Sequence, residues 1–188
     1  MGDIMSDAQA QSAPRAAIKP FRLIAACTIG NALEFFDFVI FSFFARTIGQ
    51  LFFPAADATA QLLLAFATYG VGFLLRPLGG VVIGAYADRK GRKKATVLTL
   101  MLMALGTAMI GLAPTYAQIG VLAPVIIVLG RLIQGFSAGG EVGASTTLLA
   151  EYAPPAQRGF YGSWQLASQG MAVLAAAGIA YIIFTGLS

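Results

Sequence analysis

The feature that most limits the fold of this chain is the length of its uncharged stretches. From Ala95 to Gly130 the sequence carries no Asp, Glu, Lys or Arg. About 20 apolar residues in a helix cross a bilayer core, so this stretch exceeds one span, and Pro114 marks a break between two. Only 11% of all residues are charged, whereas soluble domains carry about 25%. The sequence therefore predicts an all-α membrane protein whose apolar surface faces lipid.

Five transmembrane helices are predicted from the ends of the apolar runs. The run that starts at Leu23 contains Glu34 and Asp37. It is longer than the apolar region of a secretory signal peptide, so it is interpreted as an uncleaved first helix. Residues 1–20 are predicted to be a disordered cytoplasmic tail and 21–188 a transmembrane bundle. The predicted helices are about 22–45, 58–87, 95–113, 118–150 and 160–184.

The orientation of the bundle follows from its positive charges. Nine of the twelve Lys and Arg residues lie in the N-terminal tail, the second-to-third loop and the fourth-to-fifth loop. With five spans these three segments share one side, and the opposite side has only Arg46. Lys and Arg collect on the cytoplasmic side of membrane proteins. We therefore expect a multi-pass protein of the cytoplasmic (inner) membrane with its N-terminus inside.

Composition also limits the chemistry. The sequence has no His and one Cys, Cys27. This argues against a histidine metal site, a histidine general base, an intrachain disulfide and a cysteine-rich metal site. No cofactor or metal is expected. The net charge of +4 reflects topology, so no nucleic-acid partner is expected, and the predicted surroundings are the lipid bilayer.

Ionisable residues within the predicted spans are the first functional candidates, because a charge at mid-span costs about 2.5–3.5 kcal/mol. On the fourth helix the polar residues form a stripe about 80° wide around the helix axis, when each residue is rotated by 100° from the one before it. On a separate face, glycines recur every fourth residue and suit close helix contact. The stripe contains Arg131, Gln134, Ala138, Glu141 and Ser145, and the glycines are Gly135, Gly139 and Gly143.

Two interpretations of these charges remain open. In the first, Glu34 and Arg131 neutralise each other as a buried structural pair. In the second, Arg131 binds a carboxylate, and Glu34 or Asp37 carries a proton, since a buried carboxylic acid can exchange protons near neutral pH. The two arrangements can also alternate within one protein. Arg76 is expected to extend to the cytoplasmic interface, to cap helix carbonyls, or to take part in function.

The loop after the second helix carries the most specific pattern. It reads Gly84-Ala-Tyr-Ala-Asp88-Arg89-Lys-Gly91-Arg92-Lys-Lys, which resembles the major facilitator superfamily motif at the expected place. The fourth helix has Gly130-Arg131-Leu-Ile-Gln134-Gly135, and the next loop has Glu151-x-x-Pro154-x-x-x-Arg158-Gly159; both resemble patterns of that superfamily.

Other segments narrow the resemblance. Gly30-Asn31-Ala-Leu-Glu34-Phe-Phe-Asp37-Phe38 and Arg76-Pro77-Leu-Gly79 resemble the metabolite:proton symporters. The segment from Phe160 to Gln169 resembles the citrate and tricarballylate branch. The resemblance covers about residues 21–175 and implies twelve helices in two halves, of which five are present here, with the substrate site between the halves.

The resemblance implies roles for individual residues. It implies a substrate that is a small organic acid anion, co-transported with a proton. Asp88 and Arg92 would belong to a cytoplasmic gate. Substrate binding is expected at Arg131, Asn31, Gln134 and Gln165; proton coupling at Glu34, Asp37 and Glu141; gating at Gly84, Asp88, Arg89, Gly91, Arg92, Glu151 and Arg158; helix packing at Gly135, Gly139 and Gly143.

The expected function is secondary active transport, a proton-coupled symport of an acid such as citrate or tricarballylate. The alternatives are a symporter for a dicarboxylate or a zwitterionic osmolyte, or a truncated, non-transporting membrane fragment that lacks its C-terminal half. A half-size carrier working as a homodimer is disfavoured, because an odd number of helices places the two ends on opposite sides. A membrane-embedded enzyme is disfavoured by the lack of His.

Overall fold

The computed structural model of the chain describes residues 20–55 and 57–186, and all regular structure in that part is helical. The predicted disordered tail lies outside the described residues, apart from Pro20. The α-helices are Pro20–Phe43, Ala45–Phe52, Ala58–Leu74, Arg76–Lys90, Arg92–Gly111, Tyr116–Ile119, Leu122–Tyr152 and Arg158–Gly186, with a 3-10 turn at Pro155–Gln157.

Four helices in the described part are long and apolar enough to cross a membrane. A fifth is added if Cys27–Phe43 and Ala45–Phe52, bent by 68° at Phe44, are counted as one span. We call Pro20–Phe43 the first span and Ala58–Lys90 the second. The third, fourth and fifth spans are Arg92–Gly111, Leu122–Tyr152 and Arg158–Gly186.

The second span has a one-residue break at Leu75, where the backbone stays in the right-handed helical region (φ −86°, ψ −9°). Its first helix ends at Leu74, and its second begins at Arg76, with Pro77 in the first turn. Proline is tolerated in a first helical turn, where its missing N–H would have no helical partner, but not in a helix interior. The break therefore follows from Pro77, and it places Arg76 at the start of a new helix inside the span.

The short helix Ala45–Phe52 bends away from the first span and is amphipathic. Its buried residues are Ala45, Gly49 and Phe52, while Arg46 and Gln50 are exposed. A Cβ at Gly49 would approach the carbonyl oxygen of Gln61 to 2.7 Å. Close backbone contact at this glycine therefore holds the short helix against the start of the second span.

The fourth span is the central helix, packed between the second and third spans. A Cβ at Gly135 would collide with the carbonyl oxygen of Gly72, and one at Gly139 with that of Arg76. On another side, Gly106 of the third span lies against the carbonyl of Gly130. Small residues allow this approach of backbones, which stabilises helix pairs in lipid. Among the described residues a Cβ at Gly143 would meet no atom within 4 Å.

Two loop glycines adopt backbone conformations that other residues rarely take. Gly91, between the second and third spans, has φ 92°, and Gly120, just before the fourth span, has φ 60°. A positive φ costs a residue with a Cβ. The requirement for glycine at position 91 of the basic loop is thus explained by the turn that it makes.

Candidate functional site

Two ion pairs connect the first span to other helices. Glu34 Oε1 accepts a hydrogen bond from Arg76 Nη2 of the second span at 3.0 Å. Asp37 Oδ2 accepts one from Arg131 Nη1 of the fourth span, also at 3.0 Å. The interpretation that Glu34 pairs with Arg131 is therefore wrong. The two carboxylates lie three residues apart on the first span, and each bonds to a different neighbouring helix.

The Asp37–Arg131 pair belongs to a longer hydrogen-bond network. Thr107 of the third span donates its hydroxyl proton to Asp37 Oδ1 at 3.2 Å and accepts a bond from Gln134 Nε2 at 2.9 Å. Gln134 is fully buried, and its Oε1 has no hydrogen-bond partner in the described part of the chain. Asp37, Thr107 and Arg131 also line a cleft of about 240 Å³ between the first, third and fourth spans.

The Glu34–Arg76 pair is bonded through one of the two contacts that it can make. Within the described residues, Glu34 Oε2 and Arg76 Nε are both buried and both lack a hydrogen-bond partner. Carboxylates and guanidinium groups often form two parallel bonds. The observed pair forms one, so it is less completely bonded than the geometry of these groups allows.

Aromatic rings surround both arginines. The Arg76 guanidinium carbon lies 4.6 Å from the ring centre of Phe38 and 4.4 Å from that of Phe73. The Arg131 carbon lies 3.8 Å from the ring centre of Phe41 and 5.5 Å from that of Phe38. Cations over aromatic faces are stabilised most where water is excluded. Phe38 therefore lies beside both cations.

A second polar cluster joins the first, fourth and fifth spans. Asn31 Nδ2 donates to the carbonyl of Gln165 at 3.0 Å and to Ser168 Oγ at 2.7 Å. Gln165 Nε2 donates to Ser145 Oγ at 2.9 Å. All four residues are buried. Asn31 and Gln165, predicted to bind substrate, are in this structure occupied by contacts between helices.

Glu141, predicted to take part in proton coupling, lies apart from both pairs. It is 6% exposed, and its Oε1 lies directly against Gly30 of the first span, where a Cβ would collide with it. A larger residue at position 30 would displace the carboxyl group. The glycine therefore makes room for a buried acid between the first and fourth spans.

The predicted gate residues lie at the end of the second span and the start of the third. Gly84, Asp88 and Arg92 line a cleft of about 230 Å³ together with glycines of the fourth span. Arg89 is exposed in the last turn of the second span. Arg158 begins the fifth span. The side chain of Glu151 lies outside the described residues, so its place in the gate stays a prediction.

Sequence reasoning missed Thr107 and left the role of Arg76 open. Thr107 lies in an uncharged span. A single hydroxyl there does not indicate a functional site, because Ser and Thr side chains commonly bond to the backbone of their own helix. Arg76 was assigned no substrate role, although its place between Leu75 and Pro77 marks an arginine at a helix break. Among the described residues no group of three or more Cys, Asp or Glu side chains could hold a metal ion.

Comparison with known proteins identifies relatives of most of the chain. The profile of the sugar (and other) transporter family matches residues 23–187. The citrate-proton symporter of Klebsiella pneumoniae is 49% identical over 156 residues, which is 83% of this chain and 35% of that protein. The proline/betaine transporter of Escherichia coli K12 is 44% identical over 143 residues, 76% of this chain and 29% of that protein.

Two further matches extend the comparison. The alpha-ketoglutarate permease of Escherichia coli K12 is 42% identical over 142 residues, 76% of this chain and 33% of that protein. The inward-open structure of the xylose transporter XylE from E. coli matches with a TM-score of 0.72 and 19% identity, covering 88% of this chain and 40% of that one. The chain thus spans about a third of the length of the curated relatives it matches.

Proposed function

The chain belongs to the sugar (and other) transporter family of the major facilitator superfamily, and on that premise we propose that it is the N-terminal part of a proton-coupled symporter for a small organic acid. The family and the relatives are transporters, not enzymes. The proposed location is the cytoplasmic membrane, with the N-terminus inside. The proposed co-substrates are a proton and an acid anion, and the substrate site would be completed by a C-terminal half.

The observation that carries this proposal is the ion pair between Asp37 and Arg131. Asp37 is 16% exposed and Arg131 2% exposed, and both line the same cleft. A proton that binds to Asp37 neutralises the carboxylate that pairs with Arg131. The contact between the first and fourth spans is then weaker. When the proton leaves, the pair forms again. The pair can therefore link protonation to movement of the two helices.

Relatives with different named substrates support the proposal that this segment binds a carboxylate group of the substrate. The substrates named for these relatives are citrate, proline and betaine, and alpha-ketoglutarate. These compounds differ in charge and size, but each contains a carboxylate. We propose citrate or another tricarboxylate first, since the citrate-proton symporters are about half identical to this chain. A dicarboxylate or a zwitterionic osmolyte is the second candidate, supported by the other two names.

Transport by a fusion protein that supplies a C-terminal half tests the proposal. Residues 1–188 are fused to the part of the Klebsiella pneumoniae symporter that follows its matching region; we call this protein the fusion carrier. In proteoliposomes with an inward pH gradient it should concentrate labelled citrate, and an uncoupler should abolish the accumulation. Asp37→Asn should abolish accumulation but retain exchange of internal for external citrate.

The intact Klebsiella pneumoniae symporter is the positive control for the preparation. Facilitated uptake by the fusion carrier that ignores both the pH gradient and the uncoupler would contradict proton coupling. Accumulation of betaine or alpha-ketoglutarate but not citrate would support the second candidate. A fusion carrier that inserts and folds but moves none of the three would favour a non-transporting membrane segment.

A further inference from the structure

The two ion pairs expose opposite charges. In the pair of Glu34 with Arg76 the arginine side chain is 25% exposed and the glutamate 1%. In the pair of Asp37 with Arg131 the aspartate is 16% exposed and the arginine 2%. Ionised side chains within a membrane span face water or protein rather than lipid tails. The accessible group is therefore a cation in the first pair and an anion in the second.

We propose that Arg76, rather than Arg131, is the residue of this segment that binds the substrate carboxylate. The inference rests on the proposed function and assigns one role to each pair. Asp37 exchanges the proton, and Arg76 binds the anion. Arg131 also lines a cleft, beside Asp37, but only 2% of its side chain is exposed, against 25% for Arg76. While both pairs are closed, an anion therefore meets more of Arg76 than of Arg131.

The position of Arg76 suits an anion site. It begins the second helix of the broken span, and the rings of Phe38 and Phe73 lie beside its guanidinium group. Aromatic contacts restrict the side chain without using its N–H donors, which lie in the guanidinium plane. An arginine held in this way keeps its planar donor edge for a carboxylate, which it can bind through two parallel bonds.

Glu34 holds the same guanidinium by a single hydrogen bond, as Asp37 holds that of Arg131. Its Oε2 and Arg76 Nε remain without partners among the described residues, although both are buried. Displacing one bond disturbs the pair less than displacing two. A substrate carboxylate can therefore share or take over Arg76, with Glu34 as the internal group that it competes with.

Equilibrium binding to the fusion carrier tests the assignment without any need for transport. Citrate binding is measured by titration calorimetry in detergent at one pH. Removing one member of a buried pair leaves an uncompensated charge and endangers folding, so both members are neutralised together. Glu34→Gln with Arg76→Gln should raise the Kd for citrate at least tenfold. The control Arg46→Gln, which removes an exposed positive charge from the short helix, should change the Kd less than threefold.

A second double variant decides between the two arginines. Asp37→Asn with Arg131→Gln should weaken citrate binding less than Glu34→Gln with Arg76→Gln does. Arg76→Lys, which keeps the charge and a partner for Glu34 but loses the planar fork, should also raise the Kd at least tenfold. Each variant is checked for a single thermal transition and a single peak in gel filtration.

Failure of this inference is distinguishable from failure of the proposed function. Unchanged citrate binding in the Arg76 variants, or a larger loss in the Arg131 double variant, would overturn the role of Arg76 even if the carrier concentrates citrate. Loss of binding in the Arg76 variants would support it even if accumulation ignored the proton gradient. An unmodified fusion carrier that binds none of citrate, alpha-ketoglutarate and betaine would overturn it as well.

Discussion

Glu34 and Asp37 lie one turn apart on the first span, and each holds an arginine of a different helix. The two carboxylates are about 60° apart around the helix axis at 100° per residue. Glu34 contacts the second span and Asp37 the fourth. The first span is thereby tied to two helices by charges, and a change in the charge of one carboxylate can act on one contact while the other stays in place.

Thr107 is expected to position the Asp37 carboxylate. Thr107→Val keeps the shape of the side chain but removes the bonds to Asp37 and Gln134. Hydrogen bonds to charged groups contribute about 1.5–3 kcal/mol. We therefore expect a lower melting temperature for the fusion carrier and a several-fold slower proton-driven uptake, with citrate binding little changed. Thr107→Ser, which keeps the hydroxyl, is the control, and an equal defect in both variants would contradict the role of that hydroxyl.

Gly139 should tolerate no side chain. A Cβ there would collide with the carbonyl oxygen of Arg76, whereas one at Gly143, on the same face a turn later, meets no described atom within 4 Å. Overpacking costs about 1–3 kcal/mol, while an exposed Gly→Ala change in a helix is neutral or stabilising. Gly139→Ala should lower the melting temperature of the fusion carrier, and Gly143→Ala should not. Equal effects would mean that the second and fourth spans are not in close contact here.

The helices were predictable from sequence because charge and proline interrupt apolar runs visibly. Pro114 was predicted to separate two spans, and the structure breaks the helix between Gly111 and Tyr116. The break at Leu75 is not predicted, because the apolar residues on both sides of Arg76 and Pro77 favour a single helix over about 58–87. The bend at Phe44 was also missed, since nothing in its composition distinguishes it from the preceding span.

The polar stripe on the fourth span was visible from spacing alone, but its partners were not. Helical periodicity shows which residues share a face, and Arg131, Gln134 and Glu141 are indeed buried. It says nothing about which residue of another helix lies opposite. Pairing Arg131 with Asp37 instead of Glu34 depends on the rotation of the first span, which is set by packing over many contacts.

The topology remains a prediction that reporter fusions can check. The second-to-third loop contains five basic residues, while the segment near Pro114 contains none. Because positive charge collects on the cytoplasmic side, a reporter after Lys94 should be active inside and one after Pro114 outside. A reporter before Pro20 should agree with the first. Signals from the same side after Lys94 and Pro114 would contradict the arrangement of the third span.

Asp88 is expected to affect cycling more than binding. It is exposed at the end of the second span and lines the cleft with Arg92, away from both ion pairs. Asp88→Asn in the fusion carrier should slow exchange of internal for external citrate several-fold while leaving the Kd for citrate within threefold. The exposed Asp57, at the opposite end of the same span, provides the matched control Asp57→Asn. Loss of citrate binding with a normal exchange rate would contradict a role of Asp88 in the gate.

Replacing Arg131 tests the coupling pair most directly. Arg131→Lys keeps the positive charge but removes the planar guanidinium group. In the native protein Nη1 of that group bonds Asp37, and its central carbon lies 3.8 Å from the ring centre of Phe41. We expect loss of most proton-driven accumulation of citrate, because the contact between the first and fourth spans would no longer follow the charge on Asp37.

Arg76→Lys, in the pair of Glu34 with Arg76, provides the comparison for Arg131→Lys. If Arg76 binds the substrate, Arg76→Lys should weaken equilibrium citrate binding more than Arg131→Lys does, while Arg131→Lys should show the larger loss of accumulation relative to exchange. Both quantities are measured on the same preparations of the fusion carrier. The reverse order, with binding lost in Arg131→Lys and retained in Arg76→Lys, would return the carboxylate site to Arg131, as the sequence alone had suggested.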